Sequence, residues 1–244
     1  MLETGYAMIT GATSDIGRQI CFTLEASGHQ LFMTDLDEEA LAEVKADLRY
    51  PERHLTLAID LSEVEHAEQA LSRFFYENQI QISNVVFAAG VFAVKPLKLL
   101  NYEFVKKNFD IALFSAISIT KVLMSKRINS KNLTGIVFLS SVSAVLGTKG
   151  YSTYSAVKAG MLGLMRSLAA ELAPHVRVNA VLPGGIRTRA TNFIYENQDA
   201  SDPRYLLGEG QKTDIADMID FLLSDKSRWI TGQEFVVDGG LTIN

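Results

Sequence analysis

Apolar and polar positions follow two alternating patterns along the chain. Short runs of apolar and β-branched residues, bounded by turn residues, predict seven strands at residues 6–10, 30–34, 54–59, 84–88, 135–139, 176–181 and 234–237. Longer stretches in which apolar residues recur every three or four positions predict six helices at residues 16–27, 38–48, 63–77, 102–127, 153–172 and 214–224. The regular alternation of the two patterns predicts an α/β fold with a parallel sheet.

The runs at residues 84–88 and 135–139 lack the period-two alternation of a half-exposed strand, which predicts strands that are buried on both faces. A doubly wound, seven-stranded parallel sheet with helices on both faces satisfies both observations. The 244 residues contain no internal repeat, low-complexity tract or linker. We therefore predict a single domain, 1–244.

One segment departs from this alternation. Residues 188–212 are polar and irregular, and they follow the sixth predicted strand. A loop of this length inside a compact domain is usually functional or mobile. Because it leaves the carboxyl end of a strand, where doubly wound sheets bind ligands, we predict that it covers a substrate site.

Charge and cysteine content narrow the class of protein. The net charge of −5 argues against nucleic acid or a membrane surface as a partner, since neither favours an acidic protein. The single cysteine, Cys21, lies in an apolar stretch, so we predict a buried small side chain in a reducing compartment. The N-terminus lacks a signal pattern, and no apolar stretch is long enough to span a bilayer. These features predict a cytoplasmic protein.

Two further classes of site are not expected. The four histidines are scattered without the spacing of metal ligands, and the chain has no CxxC pair, so we predict no metal site. Ser140 and Ser141 are not part of a GxSxG turn, which argues against a hydrolase.

The first predicted strand ends in a glycine-bearing turn, TGATSDIG at residues 10–17, and a helix follows. Such a turn lets backbone N–H groups and the helix N-terminus meet a pyrophosphate. We predict that a dinucleotide contacts Gly11, Ser14, Asp15, Ile16 and Gly17. Because a carboxylate repels a diphosphate and aspartate favours the N-cap position, we expect Asp15 to cap the helix with its side chain turned away.

The second predicted strand leads into Asp35, 18 residues after Gly17. In dinucleotide folds an acidic residue at about this spacing accepts hydrogen bonds from the adenosine ribose. The same carboxylate would repel the extra phosphate of NADP, and Leu36 rather than an arginine follows it, so we predict NAD as the cofactor. The alternative is a helix cap shared by Asp35 and Asp37, which leaves the glycines of the turn unexplained.

Tyr154 and Lys158 are four residues apart, which places a phenol and an ammonium on one face of a helix. A free tyrosine has a pKa of about 10, too high for a base at neutral pH. A cation roughly 4 Å away, at an effective dielectric of about 20, would lower that pKa by about 3. Ser141 follows a strand, 13 residues before Tyr154, and can bind the substrate oxygen. We therefore predict Tyr154 as the general acid/base for a ketone or secondary alcohol.

The same spacing recurs at Tyr102 and Lys106. No serine precedes this pair at the matching distance, and the pair lies in an amphipathic helix, so we interpret it as a solvated helix face.

Several features together resemble the short-chain dehydrogenase/reductase family. The turn at residues 10–17 resembles the family signature TGxxxGxG, with Asp15 in place of the middle glycine. The segments RVNAVLPGGIRT (177–188) and ITGQEFVVDGG (230–240) resemble its later motifs. Four residues match its catalytic tetrad: Asn108, Ser141, Tyr154 and Lys158. The resemblance covers the whole chain and implies a Rossmann-type domain.

The resemblance implies a role for each member of the tetrad. Tyr154 would be the acid/base, and Lys158 would also hold the nicotinamide ribose. Ser141 would orient the carbonyl group. Asn108 would anchor a water that relays protons from Lys158.

The resemblance also implies further cofactor contacts. Asp60 and Leu61 would meet the adenine, although a cap for the helix at residues 63–77 is an alternative role for Asp60. Ala89 and Gly90 would allow close approach of the cofactor, but the two asparagines that precede them in the family are Phe87 and Ala88 here, which puts local stability in doubt. Four residues would flank the nicotinamide: Pro183, Gly184, Ile186 and Thr188.

Three functions remain open at this stage. The overall pattern most resembles the 3-oxoacyl-[acyl-carrier-protein] reductases, which usually take NADPH, whereas Asp35 favours NAD. A dehydrogenase of a cyclic or sugar-like secondary alcohol is an alternative, and a non-catalytic NAD-binding sensor or scaffold is an alternative of another class. An epimerase or dehydratase on this fold usually has a longer C-terminal region.

Two surfaces suggest partners. Lys126, Arg127 and Lys131 could dock an acidic carrier protein, although such a cluster is more often a solvated helix end. The helix at residues 153–172 has a wide apolar face formed by Met161, Leu162, Leu164, Met165 and Leu168. In the family this helix and the one containing Asn108 pack subunits together. The resemblance therefore implies a homo-oligomer, a dimer or tetramer, with residues 241–244 at the interface.

Overall fold

The computed structural model describes residues 5–92, 94–130, 132–192 and 203–244. Its strands form one parallel sheet in the order β3-β2-β1-β4-β5-β6-β7. The strands are β1 (Tyr6–Thr10), β2 (Leu31–Asp35), β3 (Leu55–Ala58), β4 (Ile82–Phe87), β5 (Gly135–Leu139), β6 (Arg177–Pro183) and β7 (Glu234–Val237). The predicted seven-stranded, doubly wound sheet is confirmed. Lys131 and residues 193–202 of the predicted substrate loop lie outside the described residues.

Helices cover both faces of the sheet. In the described ranges they are α1 (Asp15–Ala26), α2 (Glu38–Ala46), α3 (Val64–Asn78), α4 (Tyr102–Phe109), α5 (Ser115–Leu123), α6 (Lys126–Asn129), α7 (Ser152–Leu172) and α8 (Lys212–Leu223). The first core lies beneath α3, α5 and α7, and the second lies beneath α1, α2 and α8. In the described ranges, no helix combines the length and apolarity needed to cross a bilayer.

The single helix predicted at residues 102–127 is wrong. One π-helical turn, Asp110–Phe114, joins α4 to α5, and α5 ends at Leu123. Within this region Ser115 donates a hydrogen bond of 2.6 Å to the Ile111 carbonyl oxygen. A π-helical turn keeps the chain helical but adds a residue to the turn. The apolar pattern alone therefore hides the interruption.

The strands at the centre of the sheet are buried on both faces, as predicted. Every residue of β4 and of β5 is buried. β4 begins two residues earlier than predicted, because the Asn129 side chain at the end of α6 satisfies its first residue. The Asn129 amide accepts a hydrogen bond from the Ile82 N–H at 2.7 Å and donates to the Ile82 carbonyl at 2.9 Å. A buried side chain thus replaces a neighbouring strand where the ladder begins.

Burial also decides the state of Cys21. This side chain is fully buried in α1, and burial raises the pKa of its thiol. A protonated, inaccessible thiol is a poor nucleophile. The prediction of a buried small apolar residue is confirmed.

The apolar face of α7 is covered mainly by the fold itself. Met161, Leu162 and Met165 are buried against the sheet, and Leu164 and Leu168 are half-buried at the edge of the same core. Packing within one chain therefore accounts for more of this face than the sequence pattern suggested. The homo-oligomer stays a prediction.

The strand order positions the functional site. β1 lies between β2 and β4, so consecutive connections leave it in opposite directions. In doubly wound sheets such a reversal opens a crevice outside the carboxyl ends of the strands. The turns that follow β1, β4, β5 and β6 all meet at this crevice.

Candidate active site

The glycine turn after β1 has no room for side chains at its two glycines. Gly11 has a φ of +72°, and a Cβ there would lie 2.8 Å from the Ala89 Cα and N atoms. A Cβ on Gly17 would lie 2.0 Å from the Gly11 carbonyl oxygen. Since real side chains do not approach so closely, only glycine allows this turn to pack against both α1 and the end of β4.

The helix cap differs from the prediction. Ser14 is the N-cap of α1, and its hydroxyl accepts a hydrogen bond from the Gly17 N–H at 3.0 Å. Asp15 is already the first helical residue, so the prediction that it caps the helix is wrong. Its carboxylate instead accepts hydrogen bonds from the Arg189 backbone N–H at 2.6 Å and from Arg189 Nε at 3.1 Å. The backbone N–H groups of Asp15 and Ile16 have no acceptor within the helix, as in any first turn.

The segment after β4 lacks the two asparagines of the family, and Thr10 provides hydrogen bonds to its backbone. Its hydroxyl oxygen accepts hydrogen bonds from the N–H groups of Ala88 at 3.2 Å and Ala89 at 3.1 Å. The backbone after β4 is thereby fixed against the glycine turn. Gly90, the next residue, faces Lys158, because a Cβ there would lie 3.5 Å from Lys158 Nζ.

Asp35 ends β2 at the same edge of the sheet. One oxygen of its carboxylate accepts hydrogen bonds from the Thr13 N–H at 2.9 Å and hydroxyl at 2.6 Å, and the other accepts from the Leu36 N–H at 2.8 Å. The N-cap of α2 is Asp37 alone. The alternative of a shared helix cap is therefore wrong, and Asp35 is left facing the glycine turn.

Asp60 follows β3 and does not cap α3, whose N-cap is Glu63. Its carboxylate accepts hydrogen bonds from the Ser62 hydroxyl at 2.6 Å and N–H at 2.8 Å. The hydroxyl bond from Ser62 holds the pKa of Asp60 below its usual value. Leu61 beside it is buried in the first core. The helix-cap alternative for Asp60 is wrong.

Three members of the predicted tetrad are brought together. Tyr154 and Lys158 lie on α7, and Ser141 follows β5. Lys158 Nζ lies 5.7 Å from the centre of the Tyr154 ring and donates a hydrogen bond of 2.7 Å to the Leu139 carbonyl oxygen. The Ser140 hydroxyl donates to the Lys158 carbonyl oxygen at 2.9 Å, which holds α7 against the end of β5.

The predicted lowering of the Tyr154 pKa by Lys158 is wrong for this geometry. Burial raises the pKa of Tyr154 to about 12, although a hydrogen bond with Ser141 opposes the rise. Burial also lowers the pKa of Lys158 to about 8. Attraction between the two charges would lower the pKa of Tyr154, but the cost of removing each group from water is larger here.

Lys158 makes stability depend on pH in a direction that can be measured. Its pKa is about 8 in the folded protein against an ordinary value of 10.5, so between these values the unfolded chain binds more protons. Lys158 therefore contributes stability that increases with pH through this window, by about 3 kcal/mol in total. We expect this contribution to appear as the difference in unfolding free energy between the unaltered protein and Lys158→Met, measured with urea between pH 8 and 10. Burial raises the pKa values of Cys21 and Tyr154, so these two groups contribute stability that falls with rising pH, but they do so in both proteins and cancel in the difference.

The exposed Lys226 provides the control for this experiment. Lys226→Met removes the same charge without removing a buried ammonium, so the slope should remain. Equal slopes for the unaltered protein and Lys158→Met would show that Lys158 is not destabilised by burial.

Asn108 is buried in α4, and its amide donates a hydrogen bond of 2.8 Å to the Phe104 carbonyl oxygen. It does not line the cavity that Tyr154 and Lys158 share. Its position just before the π-helical turn is a feature that recurs at functional sites. The predicted water relay through Asn108 stays a prediction.

The other three residues of the predicted tetrad line one cavity of about 570 Å³ at the carboxyl edge of the sheet: Ser141, Tyr154 and Lys158. The cavity lies between residues 141–151 and the start of the loop after β6, which is the loop that was predicted to cover a substrate site. Eleven predicted residues line it: Ser14, Asp15, Ile16, Gly90, Ser141, Tyr154, Lys158, Pro183, Gly184, Ile186 and Thr188. Gly11, Gly17, Asp35, Asp60, Leu61 and Ala89 do not line it.

Sequence reasoning missed several residues of this cavity. Phe92 packs edge-to-face against Tyr154, with ring centres 5.1 Å apart, and against Tyr151 at 5.5 Å. The Tyr205 hydroxyl accepts a hydrogen bond from the Gly185 N–H at 2.9 Å. Arg189 was also missed. Arg189 and Tyr205 lie in the segment 188–212 that was predicted to cover the site, but no pattern within that segment singled out either side chain. Phe92 lies in a loop without any such signal.

The remaining candidates behave as surface residues. Tyr102 is 73% exposed, and Lys106 pairs with Asp110 at 2.6 Å, which confirms a solvated helix face. Arg127 lies over the Tyr76 ring, 4.9 Å from its centre. Across the described ranges, no cluster of three or more His, Cys, Asp or Glu side chains is arranged to hold a metal.

Comparisons with known proteins agree with this arrangement. A family model described as Enoyl-(Acyl carrier protein) reductase matches residues 11–242. The (3R)-3-hydroxyacyl-CoA dehydrogenase of Rattus norvegicus is 31% identical over 98% of this chain and 97% of its own. The 3-oxoacyl-[acyl-carrier-protein] reductase FabG of Escherichia coli (strain K12) is 31% identical over 98% of both chains.

Solved structures show the same relationship. The short-chain dehydrogenase/reductase "SDR:Glucose/ribitol dehydrogenase" from Brucella melitensis superposes with a TM-score of 0.89 at 31% identity, over 100% of this chain and 98% of that one. This chain belongs to the short-chain dehydrogenase/reductase family. Within that family it is an oxidoreductase that acts on a secondary alcohol or ketone, similar to FabG and to the hydroxyacyl-CoA dehydrogenases.

Proposed function

We propose that this protein interconverts a ketone and a secondary alcohol by hydride transfer with NAD(H), using Tyr154 as the acid/base. The observation that carries the proposal is one cavity lined by Tyr154, Ser141 and Lys158 together with the first turn of α1. A phenol, a hydroxyl and an ammonium are thereby placed beside a turn suited to a pyrophosphate.

The residues present fit a dinucleotide. The turn at Gly11 and Gly17 keeps its backbone free of side chains, so N–H groups of the first helical turn can meet a phosphate. Gly184, in the segment after β6, is equally constrained, because a Cβ there would lie 2.8 Å from the Asp238 Cα. Ile186 and Thr188 continue this wall of the cavity.

The bound nicotinamide would supply or accept the hydride. Tyr154, with a pKa of about 12, holds its proton at neutral pH and can donate it to a carbonyl oxygen as that oxygen gains charge. The Ser141 hydroxyl hydrogen-bonds to the same phenol and can hold the substrate oxygen against it. Lys158, buried behind Gly90, stabilises the phenolate that remains after the proton has left.

We propose NAD(H) rather than NADP(H) because the carboxylate of Asp35 faces the glycine turn. A carboxylate there accepts hydrogen bonds from ribose hydroxyls and repels a phosphate on the same sugar. Leu36 next to it is 64% exposed and apolar, so it offers no charge to a phosphate. A related protein, 4-hydroxyisoleucine dehydrogenase, was solved in complex with NADH and succinate and shares 28% identity, with a TM-score of 0.83.

Asp35→Ala combined with Leu36→Arg should reverse the cofactor preference. The double variant removes the repulsive charge and adds a cation that can pair with the extra phosphate. We expect the unaltered protein to bind NADH more tightly than NADPH and the double variant to prefer NADPH, as measured by fluorescence titration. Glu38→Ala, which removes a carboxylate from the exposed start of α2, is the control. Tighter binding of NADPH by the unaltered protein would contradict the role given to Asp35.

The cavity wall favours an acyl substrate over a sugar-like one. The cavity lining includes Phe92, Val142 and Leu146, which offer apolar surface to an acyl chain. The same lining also contains the hydroxyl groups of Ser143 and Thr148. We propose a 3-oxoacyl or 3-hydroxyacyl thioester as the substrate class. A panel of such thioesters and of cyclic polyols, assayed at the nicotinamide absorbance with both cofactors, tests this choice. Turnover of the polyols alone would contradict it.

A further inference from the structure

The Asp15–Arg189 ion pair joins two walls of the cavity that are 174 residues apart in sequence. The Asp15 carboxylate accepts from both the backbone N–H and Nε of Arg189. Arg189 Nη2 also donates a hydrogen bond of 2.9 Å to the Thr13 carbonyl oxygen. Three hydrogen bonds therefore connect the loop after β6 to the glycine turn.

The electrostatics of this pair bear on the proposed cofactor. Asp15 stands in the first turn of α1 and lines the cavity, so its carboxylate faces the same helix N-terminus that would attract a phosphate. Its side chain is 16% exposed, whereas the side chain of Arg189 is 76% exposed, so water screens the carboxylate less than the guanidinium. An unpaired carboxylate there would oppose the helix N-terminus and repel a pyrophosphate.

We propose that Arg189 is a cofactor-positioning residue that neutralises Asp15, and that this pairing allows a dinucleotide to bind a turn that carries a carboxylate. The inference rests on the proposed function, since it concerns the same dinucleotide. The hydrogen bonds from Arg189 to Asp15 and Thr13 that support it are contacts within the chain and do not involve the cofactor. Thr13 extends the network, because its N–H and hydroxyl donate to Asp35, the residue proposed to select NAD.

A cycle of single and double variants tests this pairing. Arg189→Gln removes the charge but keeps the hydrogen bond from the backbone N–H to Asp15, so one hydrogen bond still holds the loop. We expect the Kd for NADH, measured by fluorescence titration of the unreacted binary complex, to rise about tenfold or more. Asp15→Asn leaves the Arg189 cation unopposed near the pyrophosphate, so this variant should bind NADH at least as tightly as the unaltered protein. The double variant should recover to within about threefold of it, since no carboxylate is then left unpaired.

Arg187→Gln is the matched control, because this arginine lies on the same segment and pairs with Glu209 at 3.2 Å, outside the cavity lining. It removes an equal charge and should leave the Kd for NADH unchanged. Thermal unfolding of each variant identifies any loss of affinity that follows from loss of the fold.

The outcomes separate this inference from the proposed function. A double variant that binds as weakly as Arg189→Gln would overturn the inference, because Asp15 would then not be the cause of the loss. Equal Kd values for Arg189→Gln and Arg187→Gln would overturn it as well. Failure of the unaltered protein to bind either NADH or NADPH would overturn the proposed function, and this inference with it.

Discussion

Tyr154→Phe should lower kcat by about 10²- to 10⁴-fold while the Kd for the dinucleotide changes by no more than a few-fold. The substitution removes one hydroxyl and keeps the ring, which packs edge-to-face against Phe92 and Tyr151. The cavity should therefore keep its shape and lose only the proton donor. Steady-state rates and NADH titration on the same preparation measure the two quantities.

Tyr102→Phe is the control for this experiment. Tyr102 has a lysine at the same spacing but is 73% exposed and lies outside the cavity lining, so its loss should leave kcat unchanged. Equal rates for Tyr154→Phe and the unaltered protein would contradict the role of Tyr154. Dinucleotide binding without turnover of any ketone or alcohol would instead favour the non-catalytic sensor.

Gly17→Ala should destabilise the protein by about 1–3 kcal/mol and weaken dinucleotide binding at least tenfold. The added Cβ would lie 2.0 Å from the Gly11 carbonyl oxygen and 2.8 Å from Ser14 Oγ. The backbone of the turn must therefore move, and with it the N–H groups that would meet the pyrophosphate. Urea unfolding and NADH titration detect the two effects separately.

Gly163→Ala is the matched control, since Gly163 is also helical and nothing lies within 4 Å of its added Cβ. Alanine in a helix is favoured over glycine by about 1 kcal/mol, so this variant should be as stable as the unaltered protein or more so. Unchanged stability and affinity in Gly17→Ala would show that the turn tolerates a side chain and would contradict the geometry of the site.

The sequence predicted the sheet well because buried strands require short apolar runs between turn residues. β5 was predicted with its observed bounds, Gly135–Leu139, and an uninterrupted apolar run is what a strand buried on both faces requires. The end of β4 was correct to one residue, but its start was not, because Asn129 satisfies it from a distance. The π-helical turn at Asp110–Phe114 was invisible for a similar reason, since the apolar pattern continues through it.

Individual side-chain roles were predicted less well than positions. The sequence placed Ser141, Tyr154 and Lys158 together correctly, because strand ends and helix spacing determine where such residues lie. It failed on the pKa of Tyr154, since the outcome depends on how completely water is removed from the phenol. It also failed on Asp15, because aspartate at a helix start is a favoured cap only when the preceding residue leaves that position open.

The sequence by itself determined the succession of strands and helices along the chain, the glycine turn, and the spacing of the phenol and the ammonium. Each of these depends on residues that are close together in the chain. Only the tertiary structure decided which loops share the cavity, how far burial shifts the pKa values, and that Arg189 meets Asp15. Those outcomes depend on the strand order, which brings the turns after β1 and β6 to one edge of the sheet. Distances across that edge have no counterpart in the local pattern of the chain.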